Sequence, residues 1–219
     1  MTLRILLALL VSSALFVGCD NDDPTDGDSD PVLLPLDVGN QWVMAFTRFD
    51  AEGTLIDSST DTLRVVGDTT VAGERWAEIQ GPTRLANIFL GGFYTNRDDG
   101  VWKWEDPSSD EAPYLLYKYP ADVDDTYELP GTENFTVTVL GTDEPFDTPA
   151  GTLSAYLYEL NTDFTAGHPV AEGAGRFERY LVPGQGFAFV GCAYLSLNEN
   201  GELDSPRPLN WELIAFEGN

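Results

Sequence analysis

From Leu34 onward, glycine and proline recur so often that few stretches of twelve residues escape both. An average α-helix needs about eleven or twelve uninterrupted residues, and an interior proline costs it about 3 kcal/mol. Strands fit between such breaks where helices do not. The intervening runs are rich in Val, Thr, Tyr, Phe and Trp. Gln41–Phe49 alternates, with Trp42, Met44 and Phe46 on one face. Further strands are expected at Thr60–Val66, Arg75–Gln80, Ile88–Thr95, Val101–Trp104, Tyr114–Tyr119 and Phe135–Leu140. Leu153–Leu160, Arg176–Val182, Phe187–Leu197 and Trp211–Phe216 complete the set. Gly67-Asp68, Ala72-Gly73 and Asn198–Gly201 read as turns, Asp99-Gly100 reads as a hairpin, and Pro206 and Pro208 are expected to interrupt pairing. The expected fold class is all-β: one antiparallel, strongly curved sheet, a half-barrel or open barrel, with few or no helices. Residues 32–219 read as a single domain.

The body also echoes itself. Leu34–Trp42 and Tyr119–Tyr127 share the pattern P-x-D-V-x-[ND]-x-aromatic. Each leads to a strand ending in a Gly turn, Val65-Val66-Gly67 or Val139-Leu140-Gly141, and then past Gly73 or Gly151 into another strand. Two related half-sheets are expected.

Residues 1–18 carry one basic residue, Arg4, then an apolar run and Gly18 ahead of Cys19. That is a secretory signal pattern, too short for a membrane span. Phe16-Val17-Gly18-Cys19 resembles the bacterial lipoprotein processing box, with Phe16 where Leu is usual. The resemblance implies cleavage before Cys19 and diacylglycerol on its sulfur, a stable membrane anchor once further acylated. Six aspartates then lie between Asp20 and Asp30 with no apolar side chain, an extended, self-repelling tether over 19–31. A calcium loop starting at Asp22 fails, with Pro24 and Leu33 at ligand positions. Acidic residues after the lipidated cysteine resemble the surface-export signal of some Bacteroidetes-type lipoproteins. In enterobacteria Asp20 in that place would imply inner-membrane retention. The expected location is the cell envelope, at the outer membrane or cell surface.

A formal net charge of -26 argues against nucleic acid, whose phosphates demand Lys and Arg. The body stays strongly acidic without the tether and has only Lys103 and Lys118 as lysines, a composition that resembles proteins of salt-loving bacteria. With Cys19 lipidated, Cys192 has no intramolecular partner and reads as a small buried hydrophobe.

Several segments together resemble secreted lipoproteins of unknown function from Bacteroidetes-like and Rhodothermota-like bacteria. Leu34–Trp42 resembles their PL-x-VGN-x-W opening. Asp98–Trp102, Tyr119-Pro120, Pro149–Leu153 and Pro183–Phe187 follow in the family's order, with Gln185 a departure from the usual PGVG. The resemblance spans about residues 34–190 and brings no catalytic residues with it. By architecture alone such proteins are similar to half-barrel lipoproteins of the lipid-carrier type.

Chemistry is sparse. His168, the one histidine, sits in a loop signature, Thr165–Pro169. No nucleophile elbow, zinc-protease motif or phosphate cradle occurs. Metal sites and cofactors are not expected. Carboxylates abound, so close pairs arise by chance; Asp98/Asp99 and Asp124/Asp125 read as turn residues. Aromatics are the better lead. Trp102 and Trp104 share a strand face, Tyr117 follows, and Tyr156 and Tyr158 repeat the spacing. Trp42, Trp102, Trp104, Tyr117 and Tyr156 are expected to line an apolar interior, facing a ligand or packing as core. The reading is a noncatalytic, lipid-anchored envelope protein. First comes a binding module for an apolar, glycan or peptide ligand, then a structural subunit contacting an envelope protein. An acid–base hydrolase comes last.

Overall fold

The computed structural model describes residues 31–50, 52–83, 90–130, 135–162, 176–194 and 207–218. Cys19, the acidic tether and His168 lie outside the described residues. Every described element is a strand. The first six are β1 (Gln41–Phe49), β2 (Leu55–Val71), β3 (Glu74–Gln80), β4 (Gly92–Arg97), β5 (Gly100–Trp104) and β6 (Tyr114–Lys118). The next six are β7 (Thr126–Glu128), β8 (Phe135–Thr148), β9 (Gly151–Thr162), β10 (Arg176–Val182), β11 (Gly186–Tyr194) and β12 (Arg207–Glu217). They form one antiparallel sheet in the order β6-β5-β4-β3-β2-β1-β12-β11-β10-β9-β8-β7, not closed into a barrel.

That order is two six-stranded meanders, β1–β6 and β7–β12, joined where β1 pairs with β12 from Gln41↔Glu217 to Arg48↔Leu209. The sequence echo marks the start of each. In the first, the Gly39 N–H donates to Val65 O (2.9 Å), Asn40 N–H to Asp37 O (3.0 Å) and Val65 N–H to Asn40 O (2.9 Å). In the second, Asp124 N–H donates to Val139 O (2.8 Å), Asp125 N–H to Asp122 O (3.2 Å) and Val139 N–H to Asp125 O (2.9 Å). Gly39 and Asp124 both have positive φ, 100° and 71°, which turns the chain into the meander. The same bulge follows in each, between Val65 and Gly67 and between Val139 and Gly141.

The bulge corrects one expectation. Gly67-Asp68 is not a turn: β2 runs through it to Val71. An extra residue lets Val66 point outward, 41% exposed, while Val65 stays in the core. The turn is Ala72-Gly73, both at positive φ (52° and 87°), as a two-residue hairpin of primed type requires. Pro208 does not break pairing either; it lies opposite Ala193 in the β11–β12 ladder.

β6 and β7 end the sheet at opposite sides, yet only the segment 119–125 separates them in sequence. The sheet must therefore curl until its ends meet. The inner face it encloses holds one apolar cluster drawn from both meanders, including Trp42, Met44, Leu63, Val65, Val137, Val139, Tyr158, Leu181, Phe187 and Trp211. Each such side chain, fully buried, contributes about 1.5–3 kcal/mol.

Candidate functional site

Two surfaces answer to the sequence expectations, one on each face of the sheet. The inner one contains Trp42 (0% exposed), Tyr117 (1% exposed) and the half-buried Tyr156. Trp42 and Tyr117 meet through Phe187, with ring centroids 5.5 and 6.5 Å away. Tyr117 lies 5.1 Å from Tyr158, which stacks with Tyr156 at 6.2 Å. The Trp42 indole N–H donates to Gln185 O at 2.5 Å, pinning the ring beneath the β10–β11 turn. The described residues fill the interior with protein around Trp42, Tyr117 and Tyr158, each at 0–1% exposure.

Trp102 and Trp104 are not among them. Period-two alternation fixes that the two share a face but not which face. Here Val101 pairs with Tyr117 and Lys103 with Tyr94 and Tyr114, so these point inward and the tryptophans outward. Burying a lysine needs compensation. The Lys103 Nζ (side chain 1% exposed) donates to Glu105 Oε1 at 2.7 Å, and the Tyr114 hydroxyl donates to the same oxygen at 2.7 Å. Desolvation lowers the Lys103 pKa and Glu105 partly restores it. Arg179 is the second buried cation, its Nη1 donating to Glu178 O (2.9 Å) and Gly191 O (3.0 Å). Lys103 is the residue the sequence reading misplaced; its flanking tryptophans made the outward lysine look natural.

The outer face carries a ladder of stacked groups. Trp104 packs edge-on against Trp76 at 5.3 Å. The Arg97 guanidinium lies 5.5 Å from the Trp76 ring and 4.1 Å from the Trp102 ring. Glu74 holds Arg97 by two bonds of 2.7 Å, Nε to Oε1 and Nη2 to Oε2. That hydrogen bond, first among the causes, lowers the Glu74 pKa. Both outer indoles are tied: Trp102 Nε1 donates to Asp99 Oδ1 and Trp104 Nε1 to Glu111 O, each at 2.7 Å. Trp76 is buried under this cover, whereas Trp102 and Trp104 remain half-exposed. Trp76 had no sequence signal beyond its strand, and Arg97 fell past the expected end at Thr95; only pairing across β3, β4 and β5 brings them together. The result is a rigid aromatic surface edged by carboxylates.

Burial raises the phenol pKa values of Tyr94, Tyr114, Tyr117 and Tyr158. It also raises that of the Cys192 thiol, which is buried on β11 as a small hydrophobe.

The chain matches no protein-family profile and no curated protein sequence. Two crystal structures are similar to it. One is a Bacteroides fragilis protein described as exported with a YmcC-like fold: 15% identity, TM-score 0.36, covering 86% of this chain and 100% of that one. The other is a Parabacteroides distasonis protein described as a lipoprotein: 13% identity, TM-score 0.34, with the same coverage.

Proposed function

We propose that this chain is a noncatalytic, lipid-anchored cell-envelope protein that binds a glycan or peptide partner through its outer surface. It does not carry an apolar ligand inside. The anchor rests on Phe16–Cys19 and the tether that follows. The observation that carries the rest is the division of aromatics between the faces. Inside, Trp42, Tyr117, Tyr158 and Phe187 pack together at 0–1% exposure with the half-buried Tyr156 stacked on Tyr158, while Trp102 and Trp104 stand half-exposed on the outer face. Half-exposed rings with immobilised N–H groups offer flat apolar faces at low entropic cost. The surrounding negative charge disfavours anionic partners.

The test is native purification of the Pro31–Asn219 unit, compact in itself, followed by organic extraction and mass spectrometry. No stoichiometric apolar species is expected; one lipid per chain would overturn the surface reading in favour of a carrier. The anchor is tested separately: Cys19→Ala should move the full chain from the membrane to the soluble fraction of a bacterial host.

A further inference from the structure

Among the described residues β6 is an end strand, and three of its backbone groups, Leu116 O and the Lys118 N–H and O, are capped by side chains. The Tyr127 hydroxyl accepts from the Lys118 N–H (3.1 Å) and donates to Leu116 O (2.8 Å). The Tyr158 hydroxyl donates to Lys118 O at 2.7 Å. Tyr127 belongs to β7 and Tyr158 to β9, so the second meander supplies both caps. Lys118 Nζ adds a bond of 2.8 Å to Asp125 Oδ2. An unprotected edge is a template for another strand.

The fold itself shows what would fit there. β12, the sixth strand of the second meander, pairs with β1, the first strand of the first. β6 is the sixth strand of the first meander, and the equivalent of β1 is β7, whose outer edge is the other end of the sheet. Within one molecule, β7 meets β6 through the Tyr127 side chain. Between molecules the repeat offers the pairing that β12 and β1 already make, over the three residues of β7. We infer that β6 is a latent strand-docking edge whose fitting partner is the β7 edge of a second copy, and that the Tyr127 and Tyr158 hydroxyls hold it back. The contact is heterologous, one edge of each copy meeting the other edge of the next, so it builds closed rings or open chains of molecules. The net charge of -26 opposes it at low salt; about 1 M salt shortens the screening length to about 3 Å and removes that barrier.

The variant Tyr127→Phe with Tyr158→Phe removes the caps and keeps the rings. Sedimentation velocity of the Pro31–Asn219 unit in about 1 M salt should show concentration-dependent oligomers, while the parent stays a monomer. Thr126 and Glu128 flank Tyr127, whose own N–H and C=O face β8, so their backbone groups face outward. Adding Glu128→Pro therefore removes a docking donor without breaking the β7–β8 ladder, and should return the protein to monomer. A folded, monomeric double variant would overturn the inference, as would oligomers that survive Glu128→Pro. If the double variant does not fold, Tyr127→Phe alone, which frees both the Lys118 N–H and Leu116 O, carries the same test, with the same two outcomes.

Discussion

The two meanders meet at two joints, and the joints are built differently. At β12 and β1 a backbone ladder runs from Gln41 to Arg48 with one bulge between Val43 and Met44, and side chains cross it: Trp211 on β12 packs tilted against Phe46 of β1 at 4.9 Å. The Trp211 indole N–H donates to Asp61 Oδ2 on β2 at 2.8 Å. At β6 the edge is met by tyrosine hydroxyls and one ion pair. A repeat with near-identical turns has thus closed one joint by backbone and the other by side chains. Hydrogen-bond ladders with buried rings across them are cooperative, whereas isolated hydroxyl bonds each contribute about 0.5–1.5 kcal/mol. The difference sets where the sheet is firm and where it gives.

The largest effect should come from the ladder joint. Trp211 is 0% exposed, so Trp211→Ala leaves a cavity and takes a donor from Asp61. A loss of about 3–5 kcal/mol is expected, read as a lower urea midpoint with an unchanged slope. A loss below about 1 kcal/mol would mean that the joints are equivalent.

At the other joint, Tyr158→Phe should cost about 1 kcal/mol near neutral pH. It should also change the alkaline limb. Burial, the largest cause, raises the Tyr158 pKa far above its ordinary value near 10. Above pH 10 the unfolded chain releases this proton while the folded one keeps it, so stability is full below about 10 and falls as pH rises. Removing the phenol should flatten that fall by up to about 1.4 kcal/mol per pH unit. Urea midpoints between pH 8 and 11 measure it, and an unchanged slope would show that this hydroxyl is not held neutral by the fold.

Much of this architecture was legible because it rests on local signals. β1 and β10 have the bounds their alternation gives, and the P-x-D-V turns announced the repeat. β7 was missed because three residues between Asp124-Asp125 and Pro130 carry no readable period. β2 read as ending at Gly67 because a bulge glycine looks like a turn glycine in sequence. Trp102 and Trp104 were placed inside because hydrophobicity usually decides the inward face. Here Glu105 and Tyr114 solvate Lys103 well enough to reverse it. The tyrosine caps had no sequence signal, since they join residues on β6, β7 and β9 that only the curled sheet brings together.

The smallest effect should lie in the repeat turns, and it tests how far the two halves are alike. Gly39 has φ 100° and Asp124 φ 71°. The left-handed well available to L-residues centres near +57°, and Asp enters it more readily than most because its short side chain bonds locally. Asp124 is therefore tolerated where it stands, and Asp124→Gly should change stability by less than about 1 kcal/mol, relief of backbone strain offsetting glycine's larger entropy loss. The reverse exchange is not symmetric. At φ 100° a Cβ is strained, so Gly39→Asp should cost about 1–3 kcal/mol. Equal effects from the two substitutions in urea titrations would make the turns interchangeable. The asymmetry would then belong to the strands that follow: β1, nine residues long and paired with β12, and β7, three residues that meet β6 through side chains within one molecule.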